Sequence, residues 1–212
     1  MVAPITLTLH TMLRITSGEF RNRRIEVPET GDVRPMLEKP RQAIFSILGQ
    51  DIAEGELVID CFAGTGVLGL EALSRGASHA LFYDINRDHI EALEALVERI
   101  RCAERCTIRR TNVMRAISTG ALLSLPVNGP AKLIFLDPPH AMSDELDGEF
   151  YRWFEGLGDT KAVGPRTIVV FGHHAELEPP LEVGKFKRFD HRAYGKVAVS
   201  MYEVAGAVEG KE

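Results

Sequence analysis

Asp137-Pro138-Pro139-His140 is the stretch of this chain that most directly implies chemistry. Two successive prolines fix φ and remove both backbone donors, so their carbonyls can only accept. With a carboxylate beside them, they form a rigid, acceptor-only cradle. Such a cradle suits an amine on an aromatic ring, whose lone pair is delocalised and must be freed before it attacks an electrophile. Hydrogen bonds accepted from both N–H groups, by Asp137 and the Pro138 carbonyl, favour a pyramidal nitrogen and stabilise the positive charge that develops there. His140 is placed to stack on the target ring, a contact that contributes about 1 to 3 kcal/mol for aromatic side chains. The plainer alternatives are a proline turn and a loop or capping histidine.

A second constellation lies upstream. Residues 60–69, DCFAGTGVLG, contain a formal G-x-G-x-x-G, and Asp84 stands 20 residues beyond Gly64. Alone, that spacing also describes a dinucleotide site with its ribose-binding acid. Asp60 separates the ligands. It closes the strand before the turn, where a pyrophosphate would rest, and a carboxylate there repels phosphate. S-adenosylmethionine carries no phosphate and has two cationic centres, an ammonium and a sulfonium, so an acid beside the glycine turn suits it. The bare glycines let backbone approach the methionine portion. Asp84 can accept from both ribose hydroxyls, and Asn112 is placed to meet the adenine edge. The expected cofactor-binding set is Asp60, Phe62, Gly64, Gly66, Asp84, Ile85, Asn112 and Val113.

These residues need a scaffold that brings strand ends together, and the hydrophobic pattern supplies one. Short apolar runs at 57–62, 79–85, 132–137 and 166–171, with a weaker one at 107–110, read as strands buried on both faces. Helical patterns separate them: 67–76 with Gly76 past its end, a helix capped by Asn86, 113–125, and one containing 150–157. Two further strands, near 185–190 and 196–204, join at Tyr194-Gly195 and pair antiparallel. The alternation predicts a doubly wound α/β sheet of the class I, Rossmann-like kind, mostly parallel with a C-terminal antiparallel hairpin. In such sheets ligands bind at the carboxyl ends of the strands, which places chemistry just after Asp60, Asp84 and Asp137. Before the sheet, 12–35 reads as an arginine-rich arm and 40–48 as a helix with Pro40 in its first turn. The expected units are the arm and helix over 1–50, a catalytic domain over 51–206, and a disordered tail over 207–212.

Composition narrows the partners. The chain has 212 residues, 45% hydrophobic and 26% charged, as expected of one globular domain. No apolar run is long enough to cross a bilayer and no secretory leader is evident, which predicts a cytoplasmic protein without a membrane partner. Three cysteines without a CxxC predict free thiols and no metal site, zinc included. His173 and His174 read as a surface loop. The net charge of −5 is unfavourable for binding a polyanion. Its distribution is not: Arg14, Arg21, Arg23 and Arg24 stand against Glu19 alone, and five cations between Lys185 and Lys196 stand against Asp190. Two basic patches on an acidic chain suit a protein that grips a polyanion on one side. No strongly apolar exposed surface is evident, so a monomer is expected.

These residues resemble the RsmD-type methyltransferases, which methylate the exocyclic amine (N2) of a guanine in small-subunit (16S) ribosomal RNA. The likeness runs through RITSGEFRNR (14–23), Arg34-Pro35, Arg41 to Phe45, DCFAGTGVLGLEALSRG (60–76), Asp137-Pro-Pro, and Arg192 to Gly195 with Tyr202. It implies S-adenosylmethionine at Asp60, Gly64, Asp84 and Asn112, and a guanine held by Asp137 to His140. It also implies ribosomal RNA or a small-subunit assembly particle as partner, contacted by Arg14, Arg21, Arg23, Arg24, Arg34, Arg41 and Arg192. The sequence departs from the family pattern where His140 replaces an aromatic residue and Met36 a threonine. Two other readings stay open. One is an amine methyltransferase acting on DNA adenine or cytosine, transfer RNA or protein glutamine; the other is a non-catalytic nucleotide-binding module.

Overall fold

The computed structural model describes residues 12–27, 36–118, 129–144 and 148–206. A two-stranded ribbon, β1 (Met12–Arg14) and β2 (Arg24–Glu26), precedes α1 (Glu38–Leu48). The central units follow: β3 (Leu57–Asp60), α2 (Val67–Ser74), β4 (His79–Asp84), α3 (Arg87–Arg99), β5 (Cys106–Arg110) and α4 (Val113–Ser118). Next come β6 (Leu133–Leu136), the short α5 (His140–Ser143), α6 (Glu149–Leu157) and β7 (Ile168–His174). The chain closes with β8 (Glu182–Val183), β9 (Phe186–Tyr194) and β10 (Val197–Val204).

Eight strands form one sheet in the order β5-β4-β3-β6-β7-β10-β9-β8. The first five are mutually parallel, whereas β10, β9 and β8 pair antiparallel. The chain winds outward from β3 through β4 to β5, then returns to start β6 on the other flank of β3. That reversal is the topological switch point, and sheets of this kind bind their ligands there, at the carboxyl ends of the strands.

Alternation within the strands builds two cores. Val58, Ala80, Phe82, Phe135 and Val170 face one side, under α2, α3, Ile44 and Phe45 of α1, and the arm residues Leu13, Ile15, Phe20 and Ile25. Ile59, Leu81, Tyr83, Ile134, Leu136 and Phe171 face the other, against Phe150, Trp153 and Phe154 of α6. Both faces are dry, which explains why these strands read as continuous apolar runs. The helix ends follow local chemistry. Asn86 Oδ1 accepts from Asp88 N at 2.8 Å and His89 N at 3.4 Å, capping α3. Gly76, at φ +102°, ends α2; its N–H donates to Leu73 O and Ala77 N–H to Ala72 O, a Schellman arrangement.

The sheet differs from the sequence expectation in one informative place. His173 is not in a surface loop: β7 runs on to His174, and His173 is fully buried. Its Nδ1 donates to His174 O and its Nε2 accepts from Ser200 Oγ, which also contacts His191 Nδ1, both at 3.0 Å. Burial holds the His173 imidazole neutral, with its pKa down at about 4. Ser200, on the neighbouring strand, supplies the polar partner that two histidines in sequence could not reveal. The expected tail over 207–212 lies outside the described residues.

Candidate active site at the switch point

β3 and β6 lie side by side in the sheet, with Asp60 in register with Phe135 and the Cys61 N–H donating to Phe135 O at 3.0 Å. Asp60 therefore ends one strand beside the point where Asp137 leaves the other. Asp84 ends β4, on the far side of β3. Three carboxyls thus line one rim, as the spacing predicts.

Asp60 is almost completely buried, and its Oδ2 accepts from Gly69 N at 3.2 Å. Among the described residues, its buried Oδ1 has no partner in hydrogen-bonding geometry. Burial, reinforced by Asp137 and Asp84, raises its pKa to about 7 despite the Gly69 bond. Asp137 is raised to about 7 as well, by burial. Such acids are costly to ionise without a cation nearby, and that cost is relieved by a positively charged ligand.

The glycine turn is organised by Asp84. Its Oδ2 accepts from Gly64 N at 2.7 Å, and its Oδ1 accepts from Asn86 N at 2.8 Å and lies 3.3 Å from His89 Nδ1. The side chain expected to meet a ribose thus also holds the turn. Gly64 and Gly66 have φ of +52° and +70°, which favours glycine at both positions. At Gly66 and Gly69 the missing side chain serves packing: a Cβ would lie 2.5 Å from Leu93 Cδ1 or 2.3 Å from Phe82 Cε1.

Around that turn, Ile85 is 68% exposed, an apolar surface beside Asp84. Asn112 Oδ1 accepts from Met114 N at 3.0 Å and Arg115 N at 3.4 Å, so it caps α4 and keeps its amide N–H₂ as donor. Val113 is buried in the second core. Phe62 meets the Trp153 ring edge-on at 5.9 Å, and the buried Trp153 indole N–H has no partner among the described residues. Nothing in the sequence pattern of α6 beyond its apolar stripe distinguished Trp153.

On the acceptor side, Pro138 is buried and Pro139 exposed. His140, expected to stack on the target ring, opens α5, and its side chain lies outside the described residues. Gly172, one residue beyond the β6–β7 ladder, gives the Asp137 carboxyl its room.

The arm carries Arg14 and Arg24 in direct cross-strand register, both exposed, while their neighbours Leu13 and Ile25 turn into the core. Arg21 and Arg23 are exposed in the connecting turn. Arg192 is exposed on β9 and engages Asp190 through two hydrogen bonds of 3.0 Å. Arg34 lies outside the described residues. Arg41 corrects the expectation of an RNA contact: it is fully buried. It donates through Nη1 to Met36 O and through Nη2 to Arg14 O at 2.7 Å, and its Nε lies 4.0 Å from Glu71 Oε2. Burial lowers its pKa, an effect that Glu71 opposes. Arg41 is a brace under the arm and cannot reach a polyanion. Its partner Glu71, missed by the sequence reasoning, left one signal: a single charge inside the apolar helix VLGLEALS.

Comparison with known proteins agrees with this geometry. The family model described as "Conserved hypothetical protein 95" matches residues 13–203. Ribosomal RNA small subunit methyltransferase D of Escherichia coli (strain K12) is 33% identical over 192 residues, 90% of this chain and 89% of that protein. Among solved structures, one described as "Putative methyltransferase yhhF from Escherichia coli" superposes with a TM-score of 0.74 at 25% identity, over 92% of this chain and 98% of the other. A conserved hypothetical protein from Streptococcus pyogenes superposes with a TM-score of 0.67 at 27% identity, over 79% and 97%. The sheet is that of the S-adenosylmethionine-dependent methyltransferases, and the Asp60 oxygen left without a partner among the described residues, beside the glycine turn, fits that cationic cofactor. From the arm to β10, the chain belongs to the family of conserved hypothetical protein 95, the RsmD-type methyltransferases.

Proposed function

We propose that this chain transfers a methyl group from S-adenosylmethionine to the exocyclic amine (N2) of a guanine in 16S ribosomal RNA. The observation that carries the reading is the placement of Asp137-Pro138-Pro139 at the carboxyl end of β6, beside Asp60 at the end of β3. The name of the Escherichia coli relative, a ribosomal RNA small subunit methyltransferase, supports the substrate class.

Bound, S-adenosylmethionine supplies an electrophilic methyl group on a sulfonium. Asp60 would offer its Oδ1 to the cofactor's positive charge, Asp84 its carboxylate to the ribose, and the Asn112 amide a donor to adenine, with Ile85, Phe62, Gly64 and Gly66 shaping the walls. Asp137 and the Pro138 carbonyl accept from the two amine N–H groups and fix the nitrogen toward the methyl, while Pro139 and His140 complete the wall over the base. Asp137, with a pKa of about 7, is poised to accept the proton released after transfer.

The arm's arginines suit RNA. Arg14 and Arg24, opposite one another on an exposed ribbon, repel across the strands unless an anion bridges them. A phosphate would do so, with Arg21, Arg23 and Arg192 extending the surface. The test is mass spectrometry of nucleosides from unmethylated ribosomal RNA, free or in small-subunit particles, after incubation with the chain and cofactor. N2-methylguanosine is expected. Methylated adenosine or cytidine would transfer the assignment to another base, and no methylated nucleoside would end the RNA reading.

A further inference from the structure

Away from the switch point, α3 runs into a tight turn. Arg101 takes φ +62°, Cys102 N–H donates to Val97 O, and the single 3₁₀ turn Ala103–Arg105 closes with Arg105 N–H donating to Cys102 O. Cys106 then opens β5. The two cysteines thus stand at the two ends of one turn, and their sulfurs lie 3.9 Å apart in hydrogen-bond contact. Cys102 is buried, whereas Cys106 retains solvent contact. The third cysteine, Cys61, is buried in the opposite core, on the other face of the sheet.

We propose that Cys102 and Cys106 form a reversible intramolecular disulfide, an oxidation site built into the turn that anchors the arm. A disulfide needs its sulfurs about 2.05 Å apart, a closure within reach of side-chain rotation at the two ends of a five-residue loop. The hydrogen bond from Cys106 holds the Cys102 thiol below the ordinary cysteine range, with Arg105 acting in the same direction. With hydrogen peroxide as oxidant, the Cys102 sulfur, whose thiolate the Cys106 S–H stabilises, is oxidised to a sulfenic acid and one water leaves. The solvent-reached Cys106 sulfur then attacks it, forming the S–S bond and expelling a second water. Two thiols and one peroxide give one disulfide and two waters, the thiols losing two electrons and two protons.

The turn that closes is the one that carries Arg105. Its Nη2 lies 2.7 Å from Glu19 Oε2, and its guanidinium stands 5.2 Å from the Phe20 ring centroid, so it clasps the arm just before the arginines of the ribbon's turn. The inference is independent of the methyl-transfer reading, because it concerns a bond and not a rate.

The sequence provides a sharp readout. Trypsin cuts after Arg101, Arg105 and Arg109, so the reduced chain releases Cys102–Arg105 and Cys106–Arg109 as separate peptides. After the native chain is treated with peroxide, digested without reductant and analysed by mass spectrometry, the two should appear joined, lighter than their sum by two hydrogens. Dithiothreitol should separate them again. Cys102→Ser and Cys106→Ser should each abolish the joined species. Separate peptides with both thiols still alkylatable, irreversible oxidation of Cys106 beside a free Cys102, or a disulfide between two chains would each overturn the proposal.

Discussion

Asp137 Oδ1 occupies the space that a side chain on Gly172 would need: a Cβ there would lie 2.4 Å from that oxygen and 2.9 Å from Met36 Cε. The bare glycine on β7 thus fixes how far the carboxyl can lean back toward that strand. Gly172→Ala pushes it forward or turns it aside, and misplacing a reacting group by an ångström is enough to slow catalysis steeply. We expect turnover to fall at least tenfold, about 1.4 kcal/mol at the transition state. Cofactor affinity should stay within a few-fold, because Asp60 and the glycine turn are untouched. Single-turnover rates and isothermal titration on the same variant check both halves; an unchanged rate would show that Asp137 has slack.

On the proposed mechanism, Asp137 sets a pH dependence. Its pKa of about 7 means the accepting, ionised form gives way to the neutral acid as pH falls through 7. The rate at saturating cofactor should rise with pH up to about 7 and then level. Asp137→Asn should cost at least a hundredfold in turnover, consistent with the loss of a positioned base, and should flatten the profile. A wild-type profile flat between pH 5 and 9 would remove Asp137 as the titrating group.

Asp60 carries a linked prediction for the ligand-free chain. Burial raises its pKa from 3.8 to about 7, so the folded state binds this proton more tightly than the unfolded state does. The sign follows: its stability contribution is greatest below pH 4, declines as pH rises toward 7, and stays lost above. Asp60→Asn removes that decline, so the variant should melt above wild type at pH 8 and close to it at pH 4. Added S-adenosylmethionine should raise the wild-type midpoint most at high pH, where Asp60 is ionised. Thermal midpoints measured across the range with and without cofactor decide it. An Asn variant that melts below wild type at pH 8 contradicts the linkage.

The sheet was legible because β3, β4, β6 and β7 are buried on both faces, so their apolar runs stand out against the turns; the glycine turn and Asp137-Pro-Pro follow from their positions after such runs. What sequence concealed were partnerships between distant residues. Arg41 looked like one more cation beside an arginine-rich arm, and only the folded chain sets it against Glu71, Met36 O and Arg14 O. His173 looked like a loop histidine because its hydrogen-bond partner, Ser200, lies 27 residues away on β10. Gly172 carried no signal, since its value lies in what Asp137 does across the neighbouring strand.

Glu71 is the residue on which the arm hangs. Fully buried, it accepts from the Thr16 N–H at 2.9 Å, the Thr16 hydroxyl, the Ser17 N–H at 3.2 Å and Arg75 Nη2 at 2.8 Å, with Arg41 Nε at 4.0 Å. Removing one partner from a buried charge network leaves the others uncompensated, at a cost of about 3 to 5 kcal/mol. Glu71→Ala should therefore lower the thermal midpoint substantially, and Glu71→Gln by less. The Gln variant isolates the arm: it keeps one carbonyl oxygen but loses the charge that gathers Arg41 and Arg75. Trypsin should then cut faster at Arg21 and Arg23, and the RNA concentration for half-maximal rate should rise while cofactor affinity holds. If cleavage and RNA dependence stay at wild-type values in a folded Glu71→Gln chain, the arm is held by its apolar residues Ile15, Phe20 and Ile25 instead.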